Sequence, residues 1–300
     1  MKKFDCCCIG RSCIDYIALI ENYPTKNTKV KLIDYKVCLG GQAANAAVVL
    51  SNLGVKTLLI TPIGKDNYAN IIKNTLNKKE NLKVNFIVSD KIKTPVAFIW
   101  TELKTAQRTI VYEKITSSNL YQKELIEKSA RISNYILFDH QSSHEIYNSA
   151  KNIKKYNTKL MMDAERNDKT LFKLLAYVDY FVCSQELSKD LKITPKALLK
   201  EFIKKGPKIV CCTLGEKGAI ATTIENPNKI YYSKAIKVKP IDTTGAGDVF
   251  HAGFAYGLIK NWNIEKILNF CNKLAGISTL YLGGSSFCEH KEFKKIKASL

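Results

Sequence analysis

The sequence predicts an α/β fold, in which helices cover both faces of a doubly wound, mostly parallel sheet and a small antiparallel β lid lies beside it. Two observations carry this prediction. Short apolar runs of strand length alternate with helical patterns along most of the chain, as in a parallel sheet whose faces are covered by helices. Two other stretches, residues 29–39 and 94–114, alternate in polarity, as antiparallel strands do.

The main sheet is predicted from a series of short apolar runs. FDCCCIG begins the series, and VKTLLITPIG follows the helix AANAAVVLSNLG, whose Gly54 stands where a C-terminal cap belongs. The next strands are NYILFDH, TKLMMDAE, VDYFVCS and KIVCCTLG, and the helices between them are EIYNSAKNIKKY, KTLFKLLAY and TPKALLKEFIKK. KAIKVKPI, residues 234–241, is predicted as a further strand that leads into a last apolar helix.

The lid is predicted from about residues 12–39 together with 94–114. No internal repeat, low-complexity tract or proline-rich linker divides the chain. We therefore expect one domain over residues 1–300 that includes the lid.

Composition limits the classes of protein to consider. The chain has 300 residues, 46% hydrophobic and 25% charged, which is ample for one large α/β core. The opening MKKFDCCCIG has too short an apolar run for a signal peptide, and no segment approaches the length of a membrane span. Ten cysteines without Cys-x-x-Cys spacing favour a reducing compartment over a disulfide framework or a zinc ribbon. We expect a cytoplasmic protein without a membrane partner.

The net charge of +20, from 47 basic and 27 acidic residues, raises the question of an anionic partner. The lysines are spread along the chain, and no aromatic-rich RNA-binding signature accompanies them. We therefore expect no nucleic-acid partner. Small anionic ligands remain compatible with this charge.

The segment IDTTGAGDVFHAGFAYGL, residues 241–258, carries the clearest chemistry. Gly245, Ala246 and Gly247 allow a sharp turn that leaves backbone N–H groups uncovered at a helix start, where the helix dipole favours a phosphate or a developing negative charge. Asp248 follows directly and is placed to act as a base on whatever attacks that phosphate. The alternative is plain helix capping by Asp242 or Thr244.

These residues resemble a known family. The run from Asp242 to Phe250 is similar to the C-terminal signature of the ribokinase-like (PfkB) carbohydrate kinases, and GGQAAN, residues 40–45, resembles their N-terminal signature. TLGEKGA at 213–219 and QRTIVYE at 107–113 extend the resemblance over nearly the whole chain. RTIVY and VDYFVCSQELSKDL look most like the ketohexokinase branch, and DTTGAGDVFHAGFAYGL is also similar to sulfofructose kinases.

The resemblance implies an ATP-dependent kinase that transfers the γ-phosphate to a sugar hydroxyl. Asp248 matches the family's general base, and the three residues before it match the anion hole. The positions that match sugar-binding residues are Asp15, Gly41, Gln42 and Asn45, with Arg108 closing over substrate or phosphates from the lid. A loop carboxylate, a capping amide and a surface arginine are the alternatives for Asp15, Asn45 and Arg108.

The resemblance also implies a nucleotide site. Its loop matches Gly215, Glu216, Lys217 and Gly218, and Asn272 lies on a helix that resembles the wall for adenine, although it could be an ordinary polar helix residue. ATP and Mg²⁺ are the implied cofactors. Where many members carry Asn-x-x-Glu, this chain reads Ser184-Gln185-Glu186-Leu187.

The glutamate of this motif is expected at position 187, where the chain has Leu, and a glutamate stands one position earlier. Glu186 and Glu165 are therefore the candidates for the Mg²⁺ network. Asp242 could hold a monovalent cation such as K⁺ with the loop at 283–286.

The predicted function is phosphorylation of a ketose or a ribose-like sugar. The rivals are a nucleoside or sugar-phosphate kinase of the same fold, and a catalytically silent sugar- or nucleotide-binding regulator. Gln42 stands where ketohexokinases usually have Asn, and this extra methylene could alter which sugar fits. The lid could also pair two copies into a homodimer.

Overall fold

A computed structural model describes residues 2–113, 120–167 and 169–300. The strands are β1 (Phe4–Ile9), β2 (Cys13–Ile20), β3 (Leu32–Gly40), β4 (Thr57–Ile63), β5 (Leu82–Val88), β6 (Val96–Glu102), β7 (Arg108–Tyr112), β8 (Ser133–Asp139), β9 (Lys159–Ala164), β10 (Tyr180–Ser184), β11 (Ile209–Thr213), β12 (Ala219–Thr223) and β13 (Asn226–Ser233). The α-helices are α1 (Gln42–Asn52), α2 (Asn67–Leu76), α3 (Lys123–Ile132), α4 (Ser143–Lys155), α5 (Lys169–Leu174), α6 (Gln185–Asp190), α7 (Pro195–Phe202), α8 (Ala246–Ile259), α9 (Ile264–Ser278) and α10 (Lys291–Ala298).

The main sheet has nine strands in the order β13-β12-β11-β10-β9-β8-β1-β4-β5. Every pairing from β11 to β5 is parallel, and β12 and β13 join at one edge as antiparallel strands. One apolar cluster packs α1, α8 and α9 on one face, and a second packs α3, α4 and α7 on the other. This arrangement confirms the predicted α/β class with its large, mostly parallel sheet.

Strand β1, which lies inside the sheet, shows why its sequence is apolar from Cys6 to Ile9. Cys6 and Cys8 belong to the apolar cluster on one face of the sheet, and Cys7 belongs to the cluster on the other face. All three side chains are 0% exposed. A parallel strand covered by helices on both sides reads as a continuous apolar run because both faces are buried.

The carboxyl ends of the parallel strands meet at one edge of the sheet. Asp139 at the end of β8 lies in register with Asp163 of β9. Ile9, the last residue of β1, pairs with Phe138, so Gly10 and Arg11 follow at the same edge. In open α/β sheets, ligands bind at this edge where the strand order reverses.

The small sheet has four strands in the order β3-β2-β6-β7. Its outer pairings, β2 with β3 and β6 with β7, are antiparallel, and the central pairing of β2 with β6 is parallel. The strands come from the two stretches predicted for the lid. Residue 114, the last of those stretches, lies outside the described residues.

The prediction of a strand over KAIKVKPI is wrong. Strand β13 ends at Ser233, and residues 234–240 have no regular secondary structure. The alternating burial of this segment comes from packing along α9: a Cβ on Gly276 would lie 2.4 Å from Cγ1 of Ile236. Alternation of apolar residues reports one buried side of an extended segment, and it does not by itself require a neighbouring strand.

Among the described helices, none combines the length and the apolar character that crossing a membrane requires.

Candidate active site

The first turn of α8 forms an open backbone site. Gly245 precedes the helix with a φ of 73°, and a Cβ on this residue would lie 2.4 Å from Cα of Gly284. Only glycine adopts this left-handed conformation without strain and leaves that space free. In the described part of the chain, the N–H groups of Gly247 and Asp248 have no acceptor, and a Cβ on Gly247 would meet nothing within 4 Å. Unpaired N–H groups at a helix start favour an anion.

The Asp248 carboxylate lies beside these N–H groups. It is partly exposed, and its Oδ2 accepts a hydrogen bond of 2.8 Å from Nδ2 of Asn45, a buried residue in the first turn of α1. Burial, together with the negative charge of the neighbouring Asp163, raises the pKa of Asp248 to about 8, and the Asn45 hydrogen bond opposes this shift. Asp248 therefore has a proton affinity suited to a general base near neutral pH.

The residues predicted for sugar binding surround the start of α1. Gly41 has a φ of 95°, and a Cβ here would lie 2.5 Å from the carbonyl oxygen of Arg11. The carboxylate of Asp15, on β2, fills the space where a side chain of Gly40 would stand and accepts a hydrogen bond of 3.1 Å from the Cys13 thiol. Asp15 is buried, and burial raises its pKa to about 6.

Arg108 connects the small sheet to the loop before α8. Its Nη1 donates a hydrogen bond of 2.7 Å to Oγ1 of Thr243, and the Thr243 hydroxyl donates in turn to the carbonyl oxygen of Ala106 at 3.2 Å. The Arg108 side chain itself is exposed. A cation from the small sheet is thus held next to the open backbone site.

The predicted nucleotide loop and Asn272 lie against the end of β13. Gly215, Glu216 and Lys217 form a short 3-10 helix, and Gly218 follows with a φ of 93°, where a Cβ would lie 2.0 Å from the carbonyl oxygen of Ser233. Asn272 donates to the same oxygen over 2.8 Å and to the Ser233 hydroxyl over 2.9 Å. The Asn272 amide N–H donors therefore hold the end of β13 in place.

The comparison with known proteins decides the family. The model of the pfkB family carbohydrate kinases matches residues 3–291. The chain belongs to this family.

Several relatives of the chain are known kinases. The ATP-dependent 6-phosphofructokinase of Thermoanaerobacterium thermosaccharolyticum is 25% identical, with 94% of this chain and 90% of that protein covered. The ribokinase of Lactococcus lactis subsp. lactis is 29% identical over 86% of this chain and 84% of its own. Mouse ketohexokinase is 23% identical over 92% and 96%, so these similarities do not single out the ketohexokinase branch.

Solved structures show the same fold. The crystal structure of a Thermotoga maritima ribokinase has a TM-score of 0.79 and 27% identity, with 99% of this chain and 100% of that chain covered. The structure of Arabidopsis thaliana ribokinase complexed with ribose and ATP has a TM-score of 0.74 and 21% identity, with 94% of each chain covered. This chain is an ATP-dependent sugar kinase of the PfkB family with the ribokinase fold.

The candidates for the Mg²⁺ network of this PfkB kinase lie apart. Glu165 lies near Asp163 and Asp248, close enough for its charge to raise the pKa of both. Glu186 is exposed on α6, and its Oε1 pairs with Nζ of Lys189 at 2.7 Å. In the described ranges, no three His, Cys, Asp or Glu side chains form a group that could hold a metal. Mg²⁺ in kinases is bound through one or two carboxylates plus substrate phosphates. The half-exposed carboxylate of Glu165, with that of Asp163 nearby, fits this kind of site.

Asp242 is buried in the loop before α8. Its Oδ1 accepts from N–H of Thr244 and its Oδ2 from N–H of Gly283, both at 2.9 Å, and the Thr101 hydroxyl donates to Oδ1 at 3.3 Å. The carboxylate thereby joins the loop at 283–286 to the start of α8. The Thr244 contact lies before the helix, and the N-cap residue Gly245 has no side-chain capping bond, so Asp242 braces the loop and does not cap α8.

Three buried polar atoms around the site have no hydrogen-bond partner among the described residues: Oδ1 of Asn45, Oγ1 of Thr244 and Nε of Arg11. Buried polar groups are rarely left unpaired without a reason. All three belong to the elements that converge on Asp248, so a bound sugar and the phosphates of ATP would supply the missing partners. The residues present fit these substrates.

The sequence prediction missed Asp163 as a site residue. This buried residue near the end of β9 lies with its Oδ1 3.2 Å from Nε2 of His251, and its Oδ2 accepts from Nε2 of Gln42 at 3.3 Å. Nδ1 of His251 lies 2.7 Å from the carbonyl oxygen of Gly247. The signal was present in TKLMMDAE, since an acid at a strand end lies at the ligand-binding edge of a parallel sheet.

Proposed function

We propose that this PfkB kinase phosphorylates a hydroxyl of a ketose or ribose-like sugar, with Asp248 as general base and residues 245–247 as the anion hole. The observation that carries the proposal is the contact between Asn45 and Asp248, at 2.8 Å, beside the unpaired N–H groups of Gly247 and Asp248. A base, a sugar-side amide and an anion site therefore meet at one point. The relatives named as ribokinase and ketohexokinase support a sugar as the acceptor.

The reaction follows from this arrangement. The oxygen of the sugar hydroxyl attacks the γ-phosphorus of ATP, and its proton passes to the carboxylate of Asp248. The bond between the γ-phosphorus and the oxygen bridging to the β-phosphate breaks, and ADP leaves with that oxygen. The N–H groups at the start of α8 stabilise the negative charge on the transferred phosphoryl group. Mg²⁺, when bound, supplies neutralisation of phosphate charge, and Glu165 is the residue that would hold it.

Arg108 acts from the small sheet in this proposal. Its contact with Thr243 places a positive charge beside the anion hole, where it counters phosphate charge. Closure of the small sheet over the sugar excludes water, which would otherwise compete with the sugar hydroxyl for ATP. Asp15, Gln42 and Asn45 orient the sugar so that a single hydroxyl faces Asp248.

The test is ADP release with ATP and Mg²⁺ over a panel of acceptors: fructose, ribose, tagatose, psicose, sulfofructose, fructose phosphates and adenosine. Asp248→Asn keeps the shape of the base and removes its proton affinity, so it should lower kcat by about 10²- to 10⁴-fold while ATP binding persists. Asp90→Asn, at an exposed ion pair with Lys65, is the control and should retain activity. Full activity of Asp248→Asn would refute the role of the base.

A homodimer through the small sheet is a further part of the proposal. Its strands expose large apolar side chains: Leu32, Ile33, Tyr35, Val37, Phe98, Ile110 and Val111. Exposed apolar patches of this kind mark protein interfaces. Sedimentation of the wild-type protein beside Tyr35→Asp tests the pairing, and a wild-type monomer at micromolar concentration would contradict it.

Potassium dependence and location complete the proposal. Asp242 and the loop at 283–286 are joined by hydrogen bonds, which is the arrangement in which a monovalent cation could order the site. Comparison of turnover in K⁺ with turnover in tetramethylammonium checks this role, and equal turnover would exclude it. Ten free cysteines and the need for ATP support a cytoplasmic location.

A further inference from the structure

We infer that Arg11 makes this kinase selective for sugars that carry an anionic group at the end remote from the reacting hydroxyl. The inference rests on the proposed function, because it assigns a substrate class to the same site. Arg11 follows the carboxyl end of β1 and lies at the ligand-binding edge of the main sheet. Neither of the two sequence signatures includes it.

Arg11 lies directly against the residues proposed to bind the sugar. Its carbonyl oxygen accepts a hydrogen bond of 3.2 Å from N–H of Ala44, in the first turn of α1. Its own N–H donates to Oδ2 of Asp139 at 2.7 Å. These two backbone contacts fix the start of the Arg11 side chain between α1 and the end of β8.

The small sheet fixes the other end of the side chain. Cζ of Arg11 lies 5.1 Å from the ring centroid of Tyr112, a cation–π contact that orients the guanidinium. Arg108 and Tyr112 lie on the same face of β7, because alternate residues of a strand share a face. Arg108 contacts Thr243 beside the anion hole, so this face of the strand covers the site from the phosphate end to Arg11.

The Arg11 guanidinium forms no salt bridge within the described part of the chain. The guanidinium is partly buried, its Nε is buried without a hydrogen-bond partner, and no described carboxylate oxygen lies within 4.0 Å of its nitrogens. Asp15 and Asp139 are near enough for Arg11 to oppose the rise that burial causes in the pKa of each carboxyl. A partly buried cation without a paired anion is unfavourable, and an anionic ligand removes this cost.

The position of Arg11 specifies which part of the substrate carries the charge. Arg108 and Tyr112 are four residues apart on β7, which corresponds to about 13 Å along a strand. The reacting hydroxyl lies at the Arg108 end, beside Asp248, and the guanidinium lies at the Tyr112 end. The far terminus of a bound sugar, with a phosphate or carboxylate on it, therefore points toward the Tyr112 end. The guanidinium presents a planar fork of N–H donors that matches either anion.

The experiment compares neutral and anionic acceptors of matched length in the full-length protein. The pairs are ribose with ribose 5-phosphate and fructose with fructose 6-phosphate, and a hexonate of the same length supplies the carboxylate arm. Wild-type kcat/KM should favour the anionic member of at least one pair by about 10- to 100-fold, the range expected for a charge-assisted contact. Arg11→Gln should abolish that preference, because kcat/KM for the anionic member should fall far more than kcat/KM for the neutral member.

Two variants and one binding measurement make the result decisive. Arg131→Gln is the matched control. Arg131, in α3, also places its guanidinium over a tyrosine ring, with Cζ 5.0 Å from the ring centroid of Tyr156. This variant should keep the preference for the anionic sugar. Arg11→Lys retains the charge without the fork and should keep part of it. The melting temperature should rise with the anionic sugar in wild type and not in Arg11→Gln.

The outcomes separate the two proposals. If neutral sugars turn over at least as well as anionic ones, or Arg11→Gln lowers both equally, the role of Arg11 is refuted and the kinase proposal stands. If no acceptor releases ADP, the proposed function fails, and the role of Arg11 then depends on the melting temperature alone. A rise that persists in Arg11→Gln, or no rise in wild type, refutes it.

Discussion

Nδ2 of Asn45 donates a hydrogen bond of 2.8 Å to Oδ2 of Asp248, which joins the first turn of α1 to the first turn of α8. Each of the two signatures that identify the family supplies one of these residues. The amide therefore holds the proposed base in position and also adjusts its affinity for a proton.

The pH profile of kcat/KM should show an acid limb near pH 8. Burial raises the pKa of Asp248 to about 8, and only the ionised carboxylate accepts the proton of the sugar hydroxyl. Activity should therefore rise about tenfold per pH unit below this value, since kcat/KM reports the free enzyme. Steady-state rates between pH 5.5 and 9 measure it, and a flat profile would contradict the assignment.

Asn45→Ala should move this acid limb to higher pH. The donated hydrogen bond favours the charged carboxylate, so its loss raises the pKa of Asp248 further. Asn52→Ala is the control, because Asn52 lies on the same helix and donates only to the carbonyl oxygen of Val48. An acid limb that stays in place in Asn45→Ala would show that the amide does not act on Asp248.

Asp248→Asn should be more stable than the wild-type protein, and the difference should grow with pH. The folded-state pKa of about 8 exceeds the ordinary value of 3.8, so the folded protein holds a proton that the unfolded chain releases. The stability that this proton provides is complete below about pH 4 and is lost as pH rises through 8. Melting temperatures at pH 5 and pH 9 test the sign.

Asp66→Asn provides a control of opposite sign for this measurement. Burial raises the pKa of Asp66, but hydrogen bonds from backbone N–H groups of Thr94 and Ala69 outweigh burial and lower it. This substitution should therefore reduce stability above pH 4. The melting temperature of each variant is compared with that of the wild-type protein at each pH. If the two differences have the same sign at pH 9, the proton-linkage argument is contradicted.

Gly245→Ala should lose both stability and activity, whereas Gly54→Ala should lose only stability. Both glycines have positive φ, 73° and 85°, but a Cβ would lie 2.4 Å from Cα of Gly284 at the first and in open space at the second. The left-handed conformation alone costs about 1–2 kcal/mol for alanine. Displacement of the α8 start should lower kcat by about 10²-fold. Urea unfolding and ADP release measure the two effects, and equal kcat for the two variants would refute the difference.

His251→Ala should destabilise the protein by about 3 kcal/mol, because it removes a buried ring and leaves Asp163 and the carbonyl oxygen of Gly247 without the nitrogens that lie 3.2 Å and 2.7 Å from them. Adding Asp163→Asn should recover part of this loss, since residues in contact are not additive. Lys189→Ala, at the exposed pair with Glu186, should change stability by less than about 1 kcal/mol. Urea unfolding measures all variants, and strictly additive losses would show that the pair is not coupled.

The fold class could be predicted because local pattern and tertiary environment agree. Continuous apolar runs such as CCCI are buried on both faces of the sheet, and the start of α8 is signalled by Gly245, whose backbone conformation requires glycine. The strand prediction for KAIKVKPI failed for a physical reason. Packing against α9 imposes the same alternation of apolar and polar residues as a strand does. The parallel pairing of β2 with β6 depends on a partner that periodicity does not reveal.

The site was only partly predictable for a similar reason. Asp248 and Asn45 lie in segments whose local residues have recognisable chemistry. The contacts of Asp163 with His251 and Gln42 join three separate elements, and no local pattern encodes them. Arg11 looks like an ordinary polar residue after a strand until Tyr112 of the small sheet is placed beside it.

The cysteines of the protein have one further consequence. Nine of the ten free thiols are buried, all except Cys38, and burial raises the pKa of Cys7, Cys211 and Cys271 well above the ordinary value. The thiolate is the nucleophile that attacks alkylating reagents, so these side chains can react only when the strands and helices around them separate. The rate of thiol labelling therefore measures how often this enzyme opens, without an engineered cysteine.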